Sequence, residues 1–392
     1  MLPLQGVTVV AVEQAVAAPF ASRQLADLGA RVIKIERPGV GDFARSYDQT
    51  VKGLASHFVW INRSKESLTL DLKRPEAADV LRRLVARADV FMHNLAPGAM
   101  ARLGFASAAL RAAHPRLITC EISGYGTAGP YRDKKAYDLL VQSETGLVSI
   151  TGTEETPSKV GISIADISAG MYAFSGVLAA LLRRERTGEG SVVEVSLFDA
   201  LAEWMGYPAY FTGYGGAAPA RTGARHAAIA PYGPYPAGDG RVVYLGLQNE
   251  REWARFCAEV LDKPELAADP RFISNSSRVA HQDALSAVIA ESFAALTAAE
   301  VVERLERADI ANARMNTVRE FLDHPQLAAR NRWRDVASPA GPLRALVPPF
   351  TLDDLELPMG PVPALGAHTD AILQEIGIDA AVIEEWRRTG IV

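Results

Sequence analysis

An aspartate, Asp166, interrupts the most apolar stretch of the chain, residues 160–182. A carboxylate in such surroundings loses hydration, so it either is paired or has a chemical role. Three interpretations stay open from the residues alone: a membrane span, a buried helix capped by Asp166, and a carboxylate held ionised at a helix N-terminus as a nucleophile. The span is disfavoured, because an aspartate near its middle costs about 2.5–3.5 kcal/mol.

Basic residues recur where predicted strands end. They are Arg37, Arg45, Lys73, Arg102 and the pair Lys134 and Lys135. Strand ends are where open α/β sheets bind ligands, and each cation can make a charge-assisted hydrogen bond to a phosphate. Any one of these residues is explained as well by a solvated loop charge. Their shared position favours a site for a ligand with several phosphates.

Three further polar residues are candidates for contact with a substrate. Glu13 and Gln14 follow the first predicted strand, where Gln14 suits substrate contact and Glu13 equally suits a helix cap or a surface charge. His226 lies in a loop and can be a general base or a substrate contact. The two cysteines, Cys120 and Cys257, are far apart and lack metal-binding neighbours. We therefore expect neither a disulfide framework nor a metal site.

The composition is typical of a soluble globular enzyme. Of the 392 residues, 48% are hydrophobic and 22% are charged, and the net charge is −5. This charge gives no general attraction to nucleic acid or to anionic membranes, so we expect neither as a partner. The first residues show neither a basic leader nor an apolar signal core, and we expect a cytoplasmic protein.

Short β-branched segments alternate with helical patterns over residues 1–205. This alternation predicts an α/β fold with a large Rossmann-like domain built on an open parallel sheet. The predicted strands cover residues 7–12, 31–36, 89–93, 117–123 and 192–196. The predicted helices cover residues 20–28, 75–86, 107–113, 137–149 and 167–184.

Four segments are predicted along the chain. Residues 1–205 form the large domain, and residues 206–235, rich in glycine, proline and tyrosine, form a linker. Residues 236–325 form a small α+β domain, with a strand at 241–247 and helices at 250–261, 282–296 and 298–308. Residues 326–392 form a proline-rich linker and a final helix, from Thr369 through Trp386, that returns to the large domain.

Six sequence blocks match one known family in order. They are ADLGARVIKIERPGVGD (26–42), NRSKESLTLDLKRP (62–75), NLAPGAMARLG (94–104), SGYGTAGPYRD (123–133), ADISAGMYA (165–173) and RTGEGSVVEVSLFDA (186–200). No single block is specific, but their joint occurrence is. On these blocks the chain resembles the class III CoA-transferases, which include formyl-CoA transferase and carnitine CoA-transferase.

The resemblance implies covalent chemistry, because Asp166 falls on the aspartate that is the family's nucleophile. It implies coenzyme A as a substrate, no metal and no tightly bound cofactor. It also implies a homodimer in which each chain forms a ring threaded through the other. It assigns the CoA contacts to Val16, Ala17, Arg37, Leu70, Asp71, Leu72, Lys73, Asn94, Leu95, Ala96, Arg102, Lys135, Ala136, Tyr137 and Asp138.

Within the family, residues 221–235 resemble enzymes that take CoA from succinyl-CoA to dicarboxylates such as itaconate, citramalate or malate. The second carboxylate of such an acid needs a cation, which Arg221, Arg225 or His226 can supply. Two departures speak against formate or oxalate as the substrate. The enzyme acting on formyl and oxalyl groups has glutamine where this chain has Val16, and residues 221–233 replace its glycine-rich catalytic loop.

Two alternatives to a CoA-transferase remain. The α-methylacyl-CoA racemases share this fold, but they use a histidine for proton transfer where this chain has Tyr137. A non-catalytic CoA-binding protein is the other alternative. An unpaired Asp166 in an apolar segment speaks against that interpretation.

Overall fold

Six strands form one parallel sheet in the computed structural model, which describes residues 1–392. They are β1 (Thr8–Val12), β2 (Arg31–Glu36), β3 (Lys65–Thr69), β4 (Val90–His93), β5 (Ile118–Ser123) and β6 (Val192–Ser196). Their order is β3-β2-β1-β4-β5-β6, and every neighbouring pair is parallel. The order reverses between β1 and β4, and the carboxyl ends of strands beside such a switch point form the usual ligand crevice.

Helices connect the strands and cover the sheet. In chain order they are α1 (Ala17–Asp27), α2 (Ser56–Ile61), α3 (Pro75–Val85), α4 (Ala99–Arg102), α5 (Ser107–Ala113), α6 (Asp138–Glu144), α7 (Leu147–Ile150), α8 (Ile164–Thr187), α9 (Leu197–Trp204), α10 (Gly206–Gly215), α11 (Glu250–Arg255), α12 (Asn275–Ala280), α13 (Gln282–Phe293), α14 (Ala298–Arg307), α15 (Val318–Leu322), α16 (Pro325–Ala329), α17 (Thr369–Glu375) and α18 (Ala380–Arg388). Short 3-10 turns cover Phe43–Ser46 and Pro264–Ala268, and a π turn covers Phe256–Val260.

Two compact units divide the chain. The first contains Met1–Thr145, Gly161–Met205 and Gln326–Val392. It holds the parallel sheet and an antiparallel pair, β10 (Trp333–Val336) with β11 (Leu343–Leu346). One of its cores joins the sheet and α3 to α17 and α18, with Leu68, Leu81 and Ile372 among the buried side chains. The C-terminal helices therefore pack on the sheet of this unit.

The second unit contains Gly146–Val160 and Gly206–Pro325. Its sheet is antiparallel, in the order β7 (Tyr232–Pro236), β8 (Val242–Gly246) and β9 (Ala311–Arg314). Helices α11, α13 and α14 cover this sheet over a core that includes Trp253, Phe272 and Phe293. This unit has the small α+β architecture that the sequence predicts.

Several elements differ from their predictions. Residues 206–235, predicted as a linker, contain α10 and most of β7, and residues 146–160 belong to the second unit. The helix predicted over 137–149 is split into α6 and α7 because Gly146 has a left-handed φ of 82°. The final helix is likewise split into α17 and α18, with Gly377 at a φ of 85° between them.

Helix α8 carries the apolar segment that holds Asp166. Its length and composition would allow it to cross a membrane, but half of its apolar window is buried inside the protein. It packs against α1, α9, β5 and β6 and ends at Gly188, whose left-handed φ of 77° closes the helix. These contacts are those of a core helix.

Candidate active site

The Asn94 side chain, after β4, joins the backbone that follows β1 at the switch point of the sheet. The Gln14 backbone N–H donates to Asn94 Oδ1 at 2.9 Å, and Asn94 Nδ2 donates to the Gln14 carbonyl oxygen at 2.7 Å. The structure therefore brings together a residue predicted to contact substrate and one predicted to contact CoA.

Asp166 lies in the first turn of α8, and the N-terminus of that helix is capped by Asp138 rather than by Asp166. Asp138 Oδ1 accepts from the backbone N–H groups of Ala165, at 2.7 Å, and Asp166, at 3.2 Å. Gln142 Nε2 holds the other carboxylate oxygen of Asp138 at 2.6 Å. The interpretation that Asp166 caps α8 is thus wrong, because Asp138 is the residue that accepts from the backbone N–H groups at the start of this helix.

The Asp166 carboxylate is half-buried and makes no ion pair. Burial raises its pKa to about 7, and the nearby charge of Asp138 adds to the rise. At neutral pH both protonation states are therefore populated. A carboxylate that is poorly solvated and free of a cation is available to attack an electrophile.

Tyr47 is a neighbour of Asp166 that sequence reasoning missed. Burial and the charges of Asp42 and Asp166 raise the pKa of this phenol to about 12. Its ring packs edge-on against His57, with the ring centroids 5.5 Å apart. Nothing in the local sequence marks Tyr47, because it follows β2 in a loop and is brought toward α8 only by the fold.

The residues predicted to contact CoA follow the carboxyl ends of four strands, with one further loop. Val16 and Ala17 begin α1 after β1; Arg37 follows β2; Leu70 to Lys73 follow β3; Asn94 to Ala96 and Arg102 follow β4; Lys135 to Asp138 lead from β5 into α6. Since parallel strands end at the same edge, the fold places these segments along one edge of the sheet. Val16, Ala17 and Leu70 are exceptions in detail, because their side chains are buried in the core.

Ion pairing separates the basic residues at this edge into two groups. Arg45 pairs with Glu36 at 2.7 Å and stacks on Phe58, and Lys134 pairs with Glu144. The cations that are exposed and make no ion pair are Arg37, Lys73, Arg102 and Lys135. The second group is therefore the set available to phosphates.

A cleft of about 320 Å³ opens beside the ends of β4 and β5. Leu95 and Arg102, both predicted to contact CoA, line it together with His93, Glu121 and Arg132. His93 Nε2 lies 3.9 Å from Glu121 Oε2, and burial lowers the pKa of His93. Its lining is mixed, because Arg132 is paired with Asp133, which also lines the cleft, and this leaves Arg102 as the arginine there without an ion pair. No group of three or more His, Cys, Asp or Glu side chains is arranged to hold a metal ion.

The three candidates for the distal carboxylate, Arg221, Arg225 and His226, lie in the second unit. The Arg221 guanidinium is used within the unit, donating to the carbonyl oxygens of residues 149, 153 and 154 at 2.6–3.0 Å. Arg225 is partly exposed and lies 4.0 Å from Asp283. The His226 ring stacks on Tyr232 at 5.3 Å, and its Nδ1 accepts from the Ala228 N–H. Arg225 and His226 thus keep donors that a ligand can use, whereas those of Arg221 are engaged.

Glu13 differs from both interpretations that the sequence left open, since it is neither a helix cap nor a surface charge. It is fully buried, and its Oε1 accepts from Lys65 Nζ at 2.7 Å. Burial alone would raise the pKa of Glu13, but the charges of Lys65 and Lys34 lower it below the usual range. Glu13 is therefore a buried structural anion behind the switch point.

Comparison with known proteins places this geometry in a family. The model of CoA-transferase family III matches residues 4–369. An acetyl-CoA:oxalate CoA-transferase of Acetobacter aceti is 37% identical over 84% of this chain and 85% of its own. A succinyl-CoA–D-citramalate CoA-transferase of Chloroflexus aurantiacus is 35% identical over 86% of this chain and 84% of its own.

A solved structure has the same fold. The crystal structure of a CAIB/BAIF family protein from Brucella suis superposes with a TM-score of 0.84 at 33% identity. The match covers 96% of this chain and 99% of that one. The α/β architecture of the chain is therefore that of this family throughout its length.

Proposed function

Because the chain belongs to CoA-transferase family III, we propose that this CoA-transferase moves CoA from succinyl-CoA to a C4–C5 dicarboxylate such as itaconate, with Asp166 as the nucleophile. Coenzyme A enters as part of the substrate. The observation that carries the proposal is the Asp166 carboxylate itself, half-buried, without a cation and with a pKa raised to about 7.

The first half of the reaction transfers CoA from succinyl-CoA to Asp166 and releases succinate. A carboxylate oxygen of Asp166 attacks the thioester carbon of succinyl-CoA, and the carbon–sulfur bond breaks. The products are a mixed aspartyl–succinyl anhydride and the CoA thiolate. The thiolate then attacks the aspartyl carbon, succinate leaves with the bridging electron pair, and a thioester links Asp166 to CoA.

The second half repeats these steps in reverse with the acceptor. The acceptor carboxylate attacks the aspartyl thioester and expels the CoA thiolate, which gives a second mixed anhydride. The thiolate attacks the acyl carbon of the acceptor, the new acyl-CoA forms, and Asp166 is released as a carboxylate. No net proton is taken up, so Asp166 needs no partner acid.

The C4–C5 acceptor is supported by relatives and by residues of the second unit. The Chloroflexus relative is named for succinyl-CoA and D-citramalate, and Arg225 and His226 retain donors for a distal carboxylate. The Acetobacter relative is named for oxalate, so oxalate is the acceptor to compare.

A trapping experiment tests the covalent scheme. Wild-type protein is mixed with succinyl-CoA and hydroxylamine, which converts an aspartyl anhydride or thioester to a hydroxamate, and the peptide that contains residue 166 is analysed by mass spectrometry. We expect a hydroxamate at Asp166 in the wild type and none in Asp166→Asn. Because hydroxylamine also cleaves succinyl-CoA directly, release of free CoA is counted only above the release measured without protein. Unmodified Asp166 together with full transfer activity in Asp166→Asn would falsify the scheme.

A second experiment tests the acceptor. Initial rates are compared for itaconate, D-citramalate, L-malate and oxalate with succinyl-CoA as the donor, in wild type and Arg225→Ala. If Arg225 binds the distal carboxylate, its loss raises KM for the dicarboxylates about 10-fold or more, the size expected for one charge-assisted hydrogen bond. The control is Arg255→Ala in the same unit, since Arg255 also faces an aspartate, Asp309, at 3.4 Å. Equal effects of the two substitutions would argue against Arg225.

A further inference from the structure

Four fully buried charges lie behind the nucleophile in the first unit. They are Glu13 at the end of β1, Lys34 in β2, Asp42 in the loop after β2, and Lys65 in β3. Lys34 Nζ lies 2.8 Å from Asp42 Oδ2 and 3.3 Å from Glu13 Oε1. Two lysines face two carboxylates, and burial lowers the pKa of Lys65 to about 7 against the opposing charge of Glu13. Such a cluster is stable only while every member keeps its partners.

The Asp42 carboxylate accepts hydrogen bonds from backbone N–H groups in addition to pairing with Lys34. Its Oδ1 accepts from the N–H of Ala15 at 3.0 Å and from the N–H of Ala44 at 2.9 Å. Its own N–H donates to Glu36 Oε1 at 3.0 Å, which fixes the loop that carries it. The pairing with Lys34 orients the carboxylate, so both backbone contacts depend on the cluster.

Ala15 needs this hydrogen bond to Asp42 because its backbone is left-handed, with a φ of 61°. Only glycine adopts that conformation without strain. Ala15 is followed directly by Val16 and Ala17, and Val16 packs with Phe20 beside Ile167 of α8. Gly170, one turn after Asp166, lies against Ala17, where a methyl group added at position 170 would approach the Ala17 carbonyl oxygen to 2.7 Å. The turn held by Asp42 is thus packed on the N-terminal part of the helix that carries the nucleophile.

We propose that Asp42 is a positioning residue for acylation. Its hydrogen bond to the left-handed Ala15 backbone fixes the turn at Val16 and Ala17 against the end of α8 that carries Asp166. The inference depends on the proposed function, since it assumes that Asp166 is acylated. It adds a buried residue with no substrate contact to the groups that the reaction needs. The turn at Val16 and Ala17, to which the family resemblance assigns CoA contacts, then keeps a single position relative to Asp166.

The test measures the single-turnover rate of hydroxamate formation at Asp166 with saturating succinyl-CoA. In Asp42→Asn an amide that turns its oxygen to the Ala15 N–H turns its Nδ2 donor toward Lys34 Nζ, so the backbone contact and the Lys34 pairing cannot both be kept. We therefore expect Asp42→Asn to slow this rate by about 10- to 100-fold, the loss that a small displacement of reacting groups produces. Affinity for CoA, measured by titration calorimetry, is expected to stay at the wild-type value, because the exposed cations at the other strand ends are untouched. Adding Ala15→Gly to Asp42→Asn should recover about 5- to 30-fold, because glycine reaches the left-handed conformation without that hydrogen bond.

The matched control is Asp27→Asn. Asp27 is an equally buried carboxylate, paired with Arg23 and Arg63, at the far end of α1, about 15 Å from the turn. If Asp42 acts only on general stability, Asp27→Asn and Asp42→Asn will slow acylation equally, or glycine at position 15 will give no recovery, and either result overturns the inference. An absent hydroxamate in wild type refutes the proposed function instead.

A second variant covers the case in which Asp42→Asn does not fold. Ala15→Val keeps all four buried charges but places a β-branched residue where φ is positive, which such residues avoid. We expect slow acylation with unchanged CoA affinity. Acylation at the wild-type rate in Ala15→Val would overturn the role of the turn.

Discussion

The pKa of Asp166 sets the pH range in which the enzyme can form its covalent intermediate. Burial and the charge of Asp138 raise that pKa to about 7, and only the ionised carboxylate is a nucleophile. The rate of hydroxamate formation should therefore rise about tenfold per pH unit below pH 7 and level off above it. Rapid-quench measurements from pH 5 to 8.5 check this, and a rate independent of pH would contradict it.

Asp138 offers a way to move that pH profile without removing the nucleophile. In Asp138→Asn the side-chain oxygen can still accept from the N–H groups of Ala165 and Asp166, but the negative charge is gone. We expect the midpoint of the profile to shift to lower pH, because the like charge that disfavours ionisation is lost. Since burial is the larger cause, the midpoint should remain above the ordinary value of 3.8.

A different result would assign Asp138 another role. If Asp138→Asn weakens CoA affinity in calorimetry and leaves the midpoint in place, Asp138 acts on CoA, as the family resemblance implies, and not on Asp166. The matched control is Asp79→Asn, because Asp79 is a partly exposed carboxylate of α3 that pairs with Arg82 and Arg83 and does not line the cleft.

The contact between α1 and α8 depends on the absence of a side chain at Gly170. A methyl group there would lie 2.7 Å from the Ala17 carbonyl oxygen and 3.0 Å from the Phe20 ring, closer than packed atoms tolerate. We expect Gly170→Ala to destabilise the fold by about 1–3 kcal/mol and to slow acylation, because α8 must move away from the turn. Urea unfolding and the hydroxamate assay measure the two effects. Gly161→Ala, in open space before α8, is the control and should change neither.

Sequence patterns predicted elements whose side chains follow simple burial rules. Strands rich in valine and isoleucine, such as β1, and the apolar helix α8 follow their patterns closely. Strand β3 was not predicted, because it begins Lys65–Glu66–Ser67 and a buried lysine is indistinguishable in the sequence from an exposed one. The charge of Lys65 is satisfied by Glu13, which lies 52 residues away in the chain. Only the fold reveals this pairing.

In the candidate site, too, some features could be predicted from the sequence and others could not. The apolar segment around Asp166 and the cations at strand ends are local signals, and each could be identified from sequence. The capping of α8 by Asp138 joins residues 28 positions apart, and the left-handed turn at Ala15 occurs in a residue that does not favour it. Contacts that the tertiary fold imposes against local preference leave no local signal.

A group of aromatic side chains is exposed on one helix of the second unit. Helix α10 in the second unit exposes Tyr207, Tyr210, Phe211 and Tyr214, and the last is 88% exposed. In the first unit, Leu182 of α8 is also largely exposed. Exposed apolar side chains grouped on one helix, as in α10, often mark a protein interface. We propose that a second copy of the chain covers these side chains, in the interlocked homodimer that the family resemblance implies.

An interlocked dimer is expected to differ from an ordinary dimer in whether its subunits exchange. Light scattering should give twice the mass of the 42.1 kDa chain at every accessible concentration. Tagged and untagged dimers that are mixed should not exchange subunits under native conditions, because threaded chains separate only when one of them unfolds. Exchange should appear after treatment with denaturant and refolding, and affinity capture followed by mass spectrometry measures both states. A monomeric mass would contradict the dimer, whereas rapid native exchange would contradict only the threading and leave a dimer held by surface contact.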